Sequence, residues 1–362
     1  MPPTSPSNAL AIVIHTLLFL CRLPFFLPYA LAYFLIIHPL LRASTAILPR
    51  VITVIARKLF LWLLIGIPGI WWVDLQLDGV KRGHLHQQPA NRFPHRRTVI
   101  ASTFTSPIDA IYLAAIFDPV FTISYPNTRL VRRVGLLRAI KAALAPVRTA
   151  PPKYATAKLT DLESLLDENP DRVIAVFPEC GTTNGKAVLP FSPSLLACPP
   201  DVAIYPVSIR YSPADVTTPV PGRWARFFWH LLSLPTTCIR VRIAEPTTNS
   251  ATGAGAEYNH GSPANNSNNP ATNGSLLAGN SGLGDIFKHG NGSGSDISGG
   301  SLFKDVAYGP NGVEMLPTEQ RVLDRISEAL ARLGRSKRVG LTLKDKAAFV
   351  EAWNTRKRRK QQ

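Results

Sequence analysis

The sequence predicts an α/β domain that is preceded by N-terminal membrane-associated helices. Two observations lead to this fold class. Most of the excess of apolar residues lies before residue 74, and beyond it short β-branched or apolar runs alternate with helical segments. Strands that alternate with helices are typical of an α/β sheet. The chain has 362 residues, enough for two domains of about 150 residues or for one domain with additions.

Net charge and apolar content together exclude several classes of protein. The chain carries 40 Lys and Arg against 23 Asp and Glu, a net charge of +17, while 46% of its residues are apolar. Such a chain is too hydrophobic for wholesale disorder. Only the positive net charge would favour binding to nucleic acid, so we expect no nucleic-acid partner. The four cysteines form no CxxC pair, and no His cluster lies near them in the sequence. We therefore expect neither a disulfide framework nor a metal site.

Residues 1–73 are predicted to form membrane-anchoring helices. Apolar runs cover Leu10–Cys21, Phe25–Leu41 and Leu59–Val73, and each is interrupted by proline or falls short of the roughly 20 residues of a straight span. Spanning helices and re-entrant or interfacial helices therefore both remain open, and buried helices of a soluble protein are a further alternative. Basic residues flank the runs, which favours a hairpin with both ends in the cytosol. They are Arg22, Arg42, Arg50, Arg57 and Lys58.

Residues 74–246 are predicted to form the α/β domain. Leu75–Leu77 alternates and ends at a turn, and the β-branched run Thr98–Ser102 is typical of a buried strand. Ser106 and Pro107 fit the N-cap and first position of a helix that continues to Phe117. Further predicted elements, in order, are the strand Val120–Ser124, a basic helix Arg129–Leu144, the helix Lys158–Asp167, and the strands Arg172–Phe177, Val202–Ile209 and Ile239–Ile243.

The remaining residues divide into an insertion and a C-terminal part. Residues 247–301 hold 12 of the 24 glycines and few large apolar residues, so we expect a disordered insertion. Residues 302–362 are predicted to form a helix that is capped by Thr318 and ends at Gly334, a second helix Leu343–Trp353, and a basic tail. The tail Arg356–Lys360 is interpreted as either a solvated end or a clamp on anionic lipid.

Two segments carry side chains that could bind a ligand or take part in catalysis. Ser102–Asp109 lies where a predicted strand passes into a helix, and Phe177–Lys186 follows a predicted strand directly. Ligands of open α/β sheets bind outside the carboxyl ends of strands. In the second segment, Gly181 and Gly185 allow the backbone to approach an anion, and hydroxyl, amide and ammonium groups surround them. This pattern favours a phosphate-binding loop over an ordinary polar turn.

The two segments resemble motifs of the membrane-bound glycerolipid acyltransferases of the lysophosphatidic acid acyltransferase type. Thr103–Asp109 overlays the family's Asn-His-x-Ser-x-x-Asp block, and Phe177–Thr183 overlays its Phe-Pro-Glu-Gly-Thr block, with Cys180 at or beside the usual glycine. Val202–Ile209 is similar to a later block with a proline inside a strand. The form of the second motif is most similar to the fungal lysophosphatidic acid:oleoyl-CoA branch. Arg148 is a candidate for the arginine of a further block.

The resemblance implies a mixed sheet flanked by helices, and transfer of a fatty acyl group from acyl-CoA to a lysophospholipid such as 1-acylglycerol-3-phosphate. The product would be phosphatidic acid, for phospholipid and triacylglycerol synthesis. Acyl-CoA would be a co-substrate, and no cofactor is expected. By the same resemblance Asp109 would orient a catalytic His. The implied substrate-binding residues are Ser106, Glu179, Gly181, Thr182, Thr183, Asn184, Gly185 and Lys186.

The sequence departs from the family pattern at Phe104, which stands where the family has its catalytic His. Phenylalanine cannot accept a proton. His95 precedes the strand Thr98–Ser102, which at about 3.3 Å per residue separates it from Phe104 by more than about 10 Å. Either Asp109 or Glu179 could serve as the base if burial raised its pKa. The alternative is a pseudoenzyme that binds lysolipid or acyl-CoA.

The expected partners are membrane lipids and the two substrates, and the sequence makes no prediction of oligomeric state. The resemblance to the fungal branch implies the cytosolic face of the endoplasmic reticulum, with an extension to lipid droplets. Lys360 stands at the third position from the end of the sequence, which is weakly indicative of retrieval to that membrane.

Overall fold

The computed structural model describes residues 9–44, 49–81, 83–146, 148–152, 158–250, 307–308 and 314–359. Most of the predicted insertion and the end of the basic tail therefore lie outside the described residues. Thr247–Ser250 are described and pack onto the α/β domain. Thr247 bridges to Ile204, and the buried amide of Asn249 donates to two backbone carbonyls. The ordered domain thus extends past the predicted boundary at residue 246.

Most strands belong to one mixed sheet of eight. Its strand order is β1-β9-β8-β2-β6-β3-β4-β5, and β7 with β12 and β10 with β11 form two-stranded sheets. The bounds are β1 Trp72–Leu77, β2 Val99–Ser102, β3 Val120–Ser124, β4 Val131–Val134, β5 Leu159–Thr160, β6 Ile174–Val176, β7 Ala187–Val188, β8 Ile204–Ser212, β9 Cys238–Ile243, β10 Ala307–Tyr308, β11 Glu314–Met315 and β12 Lys337–Arg338.

The centre of the sheet is parallel and its sides carry antiparallel pairs. Strands β8, β2, β6 and β3 run in one direction, with Ile100 opposite both Ala175 and Tyr205. Strand β4 is antiparallel to β3, and β9 is antiparallel to β8 but parallel to β1. The predicted α/β class and its mixed sheet are confirmed.

Helices pack on both faces of this sheet. Their bounds are α1 Ala9–Ala32, α2 His38–Ala43, α3 Arg50–Gly66, α4 Pro107–Phe117, α5 Leu136–Leu144, α6 Leu162–Glu168, α7 Trp224–Ser233, α8 Pro317–Gly334 and α9 Leu343–Arg359. One apolar core lies between the sheet and helices α3, α4, α5 and α7, and a second core lies between the sheet and helices α6 and α8. The result is a three-layer domain.

The predicted break between the first two apolar runs is wrong. Helix α1 continues through Pro24 and Pro28, and a π-helical segment, Tyr33–Ile37, joins it to α2. The wider π turn lies just before Pro39, where it relieves the clash of the proline ring with the preceding turn. The stretch Leu10–Leu41 is long and apolar enough to cross a bilayer.

The N-terminal helix is tied to the α/β domain by one arginine. The guanidinium of Arg22 donates to the carbonyls of Pro68 and Leu232 over 2.8 and 3.2 Å, and to that of Pro235 over 2.8 Å. Phe19 of α1 packs on Trp229 of α7, with ring centroids 4.8 Å apart. One side of α1 is thus held by the domain, while many of its large apolar side chains are exposed.

The predicted basic helix Arg129–Leu144 is also wrong in its first half. Val131–Val134 is instead strand β4, which pairs with β3, and Gly135 precedes the shorter helix α5. Side chains of both valines are buried, because a strand edge beside β3 offers them more apolar contact than a solvated helix would. Arg129 lies before β4, and its guanidinium forms an ion pair with Glu319 of α8 at 2.8 Å.

Two C-terminal predictions also need correction. The N-cap of α8 is Leu316 rather than Thr318, and the Glu319 carboxylate accepts from the Leu316 backbone N–H at 3.0 Å. Helix α9 begins at the predicted Leu343 but continues to Arg359. Its first turn is stabilised by Asp345, whose carboxylate accepts from the backbone N–H and hydroxyl of Thr342 over 2.7 and 2.8 Å.

Candidate functional site

The two predicted motifs meet at the carboxyl ends of neighbouring strands. Strands β2 and β6 are adjacent and parallel, so the segments that follow them leave the same edge of the sheet. The backbone N–H of Thr183 donates to the carbonyl of Phe104 over 2.8 Å. This hydrogen bond joins the motif after β2 directly to the motif after β6, and it defines the centre of the candidate site.

Asp109 lies in the first turn of α4 and is completely buried. Its Oδ2 accepts from the backbone N–H groups of Thr105 and Ser106 over 2.6 and 2.9 Å and from the Thr105 hydroxyl over 3.2 Å. Ser106 caps the helix by accepting from the backbone N–H of Ile108, and its own hydroxyl donates to the Val216 carbonyl. Asp109 therefore holds the turn that leads into α4.

The other carboxylate oxygen of Asp109 is also occupied. Oδ1 accepts from the hydroxyl of Tyr211, a buried residue of β8. Burial raises the pKa of Asp109 to about 6, and the hydrogen bonds from Tyr211, Thr105 and Ser106 oppose that shift. Burial beside this carboxylate raises the pKa of Tyr211 well above its ordinary value, so the hydroxyl stays protonated and remains a donor.

Phe104 fills the position of the expected His with a packed aromatic ring. It is 5% exposed and stacks on Phe177 with ring centroids 4.4 Å apart, and Phe177 stacks in turn on Phe121 of β3. The side chain thus belongs to the apolar core beneath the site. A stacked aromatic ring at this point explains how the fold tolerates the loss of a polar residue there.

Neither His95 nor His230 replaces the missing base. His95 lies before β2 and contacts the carbonyl of Phe93 and the hydroxyl of Tyr205, as the sequence predicts from the length of the strand. His230 lies in α7 and accepts from the guanidinium of Arg226 over 3.2 Å. The hydrogen bonds that the structure shows for Asp109 come from Thr105, Ser106 and Tyr211, so it orients no histidine of the described chain.

Glu179 is the second buried carboxyl group of the site, with 1% of its surface exposed. Its Oε2 accepts from the backbone N–H of Leu189 over 3.1 Å. Burial raises the pKa of Glu179 to about 8, against the opposing effects of the Leu189 and Phe104 amides and the ammonium of Lys346. The group is therefore largely protonated at neutral pH.

The loop after Glu179 turns through two residues with left-handed backbone. Cys180, where the family has glycine at or beside this position, has φ of +55°, and Gly185 has φ of +70°. A Cβ atom at Gly185 would approach the Thr105 methyl group to 3.7 Å. That distance is an ordinary van der Waals contact, so the positive φ of Gly185, rather than a lack of space, favours glycine here.

The predicted donors of the loop are placed differently from one another. The Thr182 hydroxyl donates to the carbonyl of Thr218 over 2.7 Å, and the Thr183 hydroxyl accepts from the backbone N–H of Gly185. Asn184 and Lys186 are exposed, and the Asn184 amide oxygen accepts from the Lys186 backbone N–H over 3.0 Å. Thr182 and Thr183 therefore brace the loop, while Asn184 and Lys186 lie on its outer side.

Lys346 is a site residue that the sequence does not predict. It comes from α9, and its ammonium group donates to the carbonyl of Thr182. A Cβ atom built on Gly181 would lie 3.3 Å from the Lys346 Nζ and 3.1 Å from a methyl group of Leu343. Gly181 is thus the point at which α9 rests on the loop. The only sequence signal is the absence of a side chain at Gly181.

The cations of the predicted basic helix Arg129–Leu144, and the candidate Arg148, are dispersed. Arg129 pairs with Glu319, and Arg133 with Glu168 at 3.3 Å. Arg138 and Lys141 remain on α5, and Arg148 is exposed beyond it. Among the described residues no group of three or more His, Cys, Asp and Glu side chains could hold a metal ion.

Comparisons with known proteins agree with the resemblance of the motifs. Residues 84–210 match the family model described as Acyltransferase. Over 154 residues the chain is 29% identical to a Schizosaccharomyces pombe protein that is provisionally named lysophosphatidic acid:oleoyl-CoA acyltransferase. That alignment covers 41% of this chain and 49% of the yeast protein, so the chain spans about half the length of the relative that it matches.

A solved structure is similar at a lower level. It is the 1-acyl-sn-glycerophosphate acyltransferase PlsC from Thermotoga maritima, with a TM-score of 0.41 and 17% sequence identity. The match covers 67% of this chain and 89% of that chain. Similarity at this level supports no functional inference.

Proposed function

We propose that this chain, whose residues 84–210 match the acyltransferase family model, transfers a fatty acyl group from acyl-CoA to a lysophospholipid, with 1-acylglycerol-3-phosphate as the acceptor. The observation that carries the proposal is the hydrogen bond between Thr183 and Phe104, which places the two family motifs side by side. The name of the yeast relative supports the choice of acceptor and donor.

The reaction requires an acceptor hydroxyl to attack the thioester carbonyl. A C–O bond forms, the C–S bond breaks, and the proton of the hydroxyl goes to the leaving thiolate, so that an ester and free CoA result. A general base that removes this proton contributes typically about 10²–10⁴-fold to the rate. Orientation of the two substrates and stabilisation of the developing charge contribute independently of it.

Asp109 is not placed as a free base, because both of its oxygens accept hydrogen bonds from the chain. Glu179 has an Oε1 without a hydrogen-bond partner among the described residues, but burial raises its pKa to about 8, so only a minor fraction of it is ionised and able to accept a proton at neutral pH. We therefore expect a slow enzyme, in which the site orients the substrates and the acceptor proton leaves through solvent or the thiolate. Asp109 acts as a positioning residue for the turn before α4 rather than as the partner of a base.

Acyl transfer by membranes that contain the full chain tests the proposal. Microsomes from cells that overexpress it are expected to gain transfer of labelled oleate from oleoyl-CoA to lysophosphatidate, and Glu179→Ala is expected to abolish the gain. Glu179→Gln serves as the matched variant, because it keeps the shape of the buried side chain. The absence of any gain over membranes without the chain would contradict the proposed activity.

A second candidate function is binding without catalysis. The stacking of Phe104 on Phe177 and the saturation of Asp109 by Tyr211 favour it, because both remove groups that catalysis of this type uses. A lysolipid-binding or acyl-CoA-binding protein would show saturable binding of lysophosphatidate without turnover. The same preparations therefore distinguish the two functions when binding and transfer are measured together.

We also propose that the N-terminal helices embed the protein in the endoplasmic reticulum membrane, with the α/β domain on the cytosolic face, and that it extends to lipid droplets. The exposed apolar side chains of α1 and α3 support membrane association, since water-exposed apolar surface of this extent is unfavourable. Trp71 and Trp72 are exposed where α3 leads into β1, a position that suits a membrane interface.

A further inference from the structure

Helix α9 places one cation directly on the loop that follows β6. Lys346 donates to the carbonyl of Thr182, and its Nζ lies where a side chain on Gly181 would otherwise be. Lys346 lies outside residues 84–210, and a long insertion separates it from the two motifs in sequence. The contact is therefore a feature of the tertiary fold of this chain rather than of a local motif.

The position of α9 is stabilised on both sides of Lys346. Leu343 is buried and contacts the Gly181 position, and the carboxylate of Asp345 caps the first turn of the helix. Further along, Trp353 packs under the guanidinium of Arg223, 5.4 Å from its ring centroid. These contacts hold the ammonium at the loop, so its location does not depend on the Thr182 carbonyl alone.

The ammonium of Lys346 keeps donors that no group of the described structure uses. A lysine ammonium has three donors, and the structure shows one hydrogen bond from it, to a backbone carbonyl. Burial lowers the pKa of Lys346, although the nearby Glu179 opposes this shift. Burial raises the pKa of Glu179 and so disfavours its carboxylate form beside this ammonium.

The other cation of this loop is less suited to the same role. Lys186 is exposed on the outer side of the loop, and its backbone carbonyl accepts from the N–H of Lys337 in the pairing of β7 with β12. The hydroxyl of Thr182 is turned inward to Thr218. Among the described residues, Lys346 is thus the cation whose ammonium contacts the small residues of the loop.

We propose that the ammonium of Lys346 binds the phosphate group of the lysophospholipid acceptor at the loop Glu179–Thr183. This inference rests on the proposed function, which supplies the acceptor, and adds a binding residue that lies outside the family domain. The phosphate would take the two remaining donors of the ammonium. Protonation of Glu179 removes the repulsion that a carboxylate would exert there.

Acyl transfer by the full chain in detergent micelles tests the inference, with lysophosphatidate and monoacylglycerol as acceptors that differ in the phosphate. Lys346→Ala and Lys346→Gln are expected to raise the KM for lysophosphatidate about 10- to 100-fold, the effect of losing a charged hydrogen bond, and to leave the KM for oleoyl-CoA unchanged. Lys346→Arg is expected to retain most of the affinity. The matched control is Lys344→Ala, which removes an exposed cation from the same helix.

Direct binding of radiolabelled lysophosphatidate to the purified chain separates failure of the inference from failure of the proposed function. If the wild type transfers acyl groups and Lys346→Ala leaves its KM and binding unchanged, the inference is wrong and the activity stands. If the wild type transfers nothing but binds lysophosphatidate in a Lys346-dependent manner, the activity is wrong and the inference stands. A fall in kcat with an unchanged KM would assign Lys346 to proton transfer instead and overturn the inference.

Discussion

The hydroxyl of Tyr211 donates a hydrogen bond to Oδ1 of Asp109, where the resemblance to the family implies a histidine as the partner of this carboxylate. Tyr211 comes from β8, about a hundred residues later in the chain. The interaction converts an acid that would orient a base into a buried anchor that joins β8 to the first turn of α4.

Substitution of Phe104 by His is expected to restore little activity by itself. The new imidazole would meet a carboxylate whose two oxygens are already occupied, and it would replace a stacked ring in the core. The double variant Phe104→His/Tyr211→Phe frees Oδ1 and is expected to exceed the single variant, toward the roughly 10²-fold effect of a general base. Rates of oleate transfer to lysophosphatidate in microsomes measure both. A strong gain from Phe104→His alone would show that Tyr211 does not compete for Asp109.

Loss of the Tyr211 hydroxyl is expected to destabilise the fold. Tyr211→Phe leaves a buried carboxylate oxygen without its donor, which costs about 1–3 kcal/mol. The matched control is Tyr29→Phe, which removes a hydroxyl whose hydrogen-bond acceptor is a backbone carbonyl, that of Phe60 at 2.9 Å. Urea unfolding of the micellar protein measures both variants as a function of pH. Only Tyr211→Phe should change the pH dependence, because the tyrosine hydrogen bond lowers the pKa of Asp109.

Stability is expected to fall as pH rises from about 6 to about 8. The pKa of Glu179 is raised from 4.5 to about 8 in the folded protein, so the folded state retains a proton that the unfolded state has lost. This stabilisation is complete below the unfolded pKa and disappears as pH passes the folded pKa. Asp109, with a pKa of about 6, contributes mainly below this window.

Glu179→Gln is the variant that checks this pH dependence. It should flatten the curve of unfolding free energy between pH 6 and 8, and Glu163→Gln, at an exposed position of α6, should leave the curve as it is. An unchanged slope in Glu179→Gln would show that Glu179 is ionised across this range.

Arg22 is expected to hold the N-terminal helix against the α/β domain. Its guanidinium donates hydrogen bonds to the carbonyls of Pro68, Leu232 and Pro235. The compact ammonium of a lysine cannot reach all three acceptors at once. Arg22→Ala and Arg22→Lys should both expose α1 to protease in micelles. Arg92→Ala, which loses contacts to Asp78 and Glu245 away from α1, provides the control. Equal cleavage of α1 in all variants would exclude the role of Arg22.

The chain is expected to remain with membranes after washes with high salt and alkaline carbonate. Extraction by salt alone would instead favour a basic soluble protein. The variant Leu17→Ser/Leu20→Ser/Leu27→Ser changes exposed side chains of α1 and should weaken retention, since each buried apolar side chain contributes about 1.5–3 kcal/mol. The fraction of protein in the membrane pellet measures the effect, and wild-type retention by the triple variant would place the anchor elsewhere.

Local signals in the sequence predict the parts of the fold that depend on local interactions. Ser106 with Pro107 predicts the start of α4 correctly, and the β-branched residues of Val120–Ser124 predict β3 to the residue. Val131–Val134 is predicted wrongly because two central arginines suit a solvated helix as well as a strand. Its conformation is decided by pairing with β3, a tertiary effect that the segment itself does not encode.

The contacts of the candidate site also fall into two groups, one that the sequence predicts and one that it does not. The proximity of Thr183 to Phe104 follows from the order of motifs and strands, since parallel neighbours end at one edge of a sheet. The contacts of Tyr211 with Asp109 and of Lys346 with Thr182 join residues more than a hundred positions apart. Such contacts depend on packing of whole elements, and no spacing rule in the sequence indicates them.

The contact between Lys346 and the loop at Gly181 also has a consequence for the order in which the protein becomes functional. A ribosome completes both motifs well before it reaches α9, so the loop at Gly181 is synthesised long before the cation that contacts it. A nascent chain, or a product truncated within the insertion, would carry both motifs without Lys346. Under the proposed function, such a product would lack the ammonium for the acceptor phosphate, and acyl transfer would begin only after α9 has been synthesised.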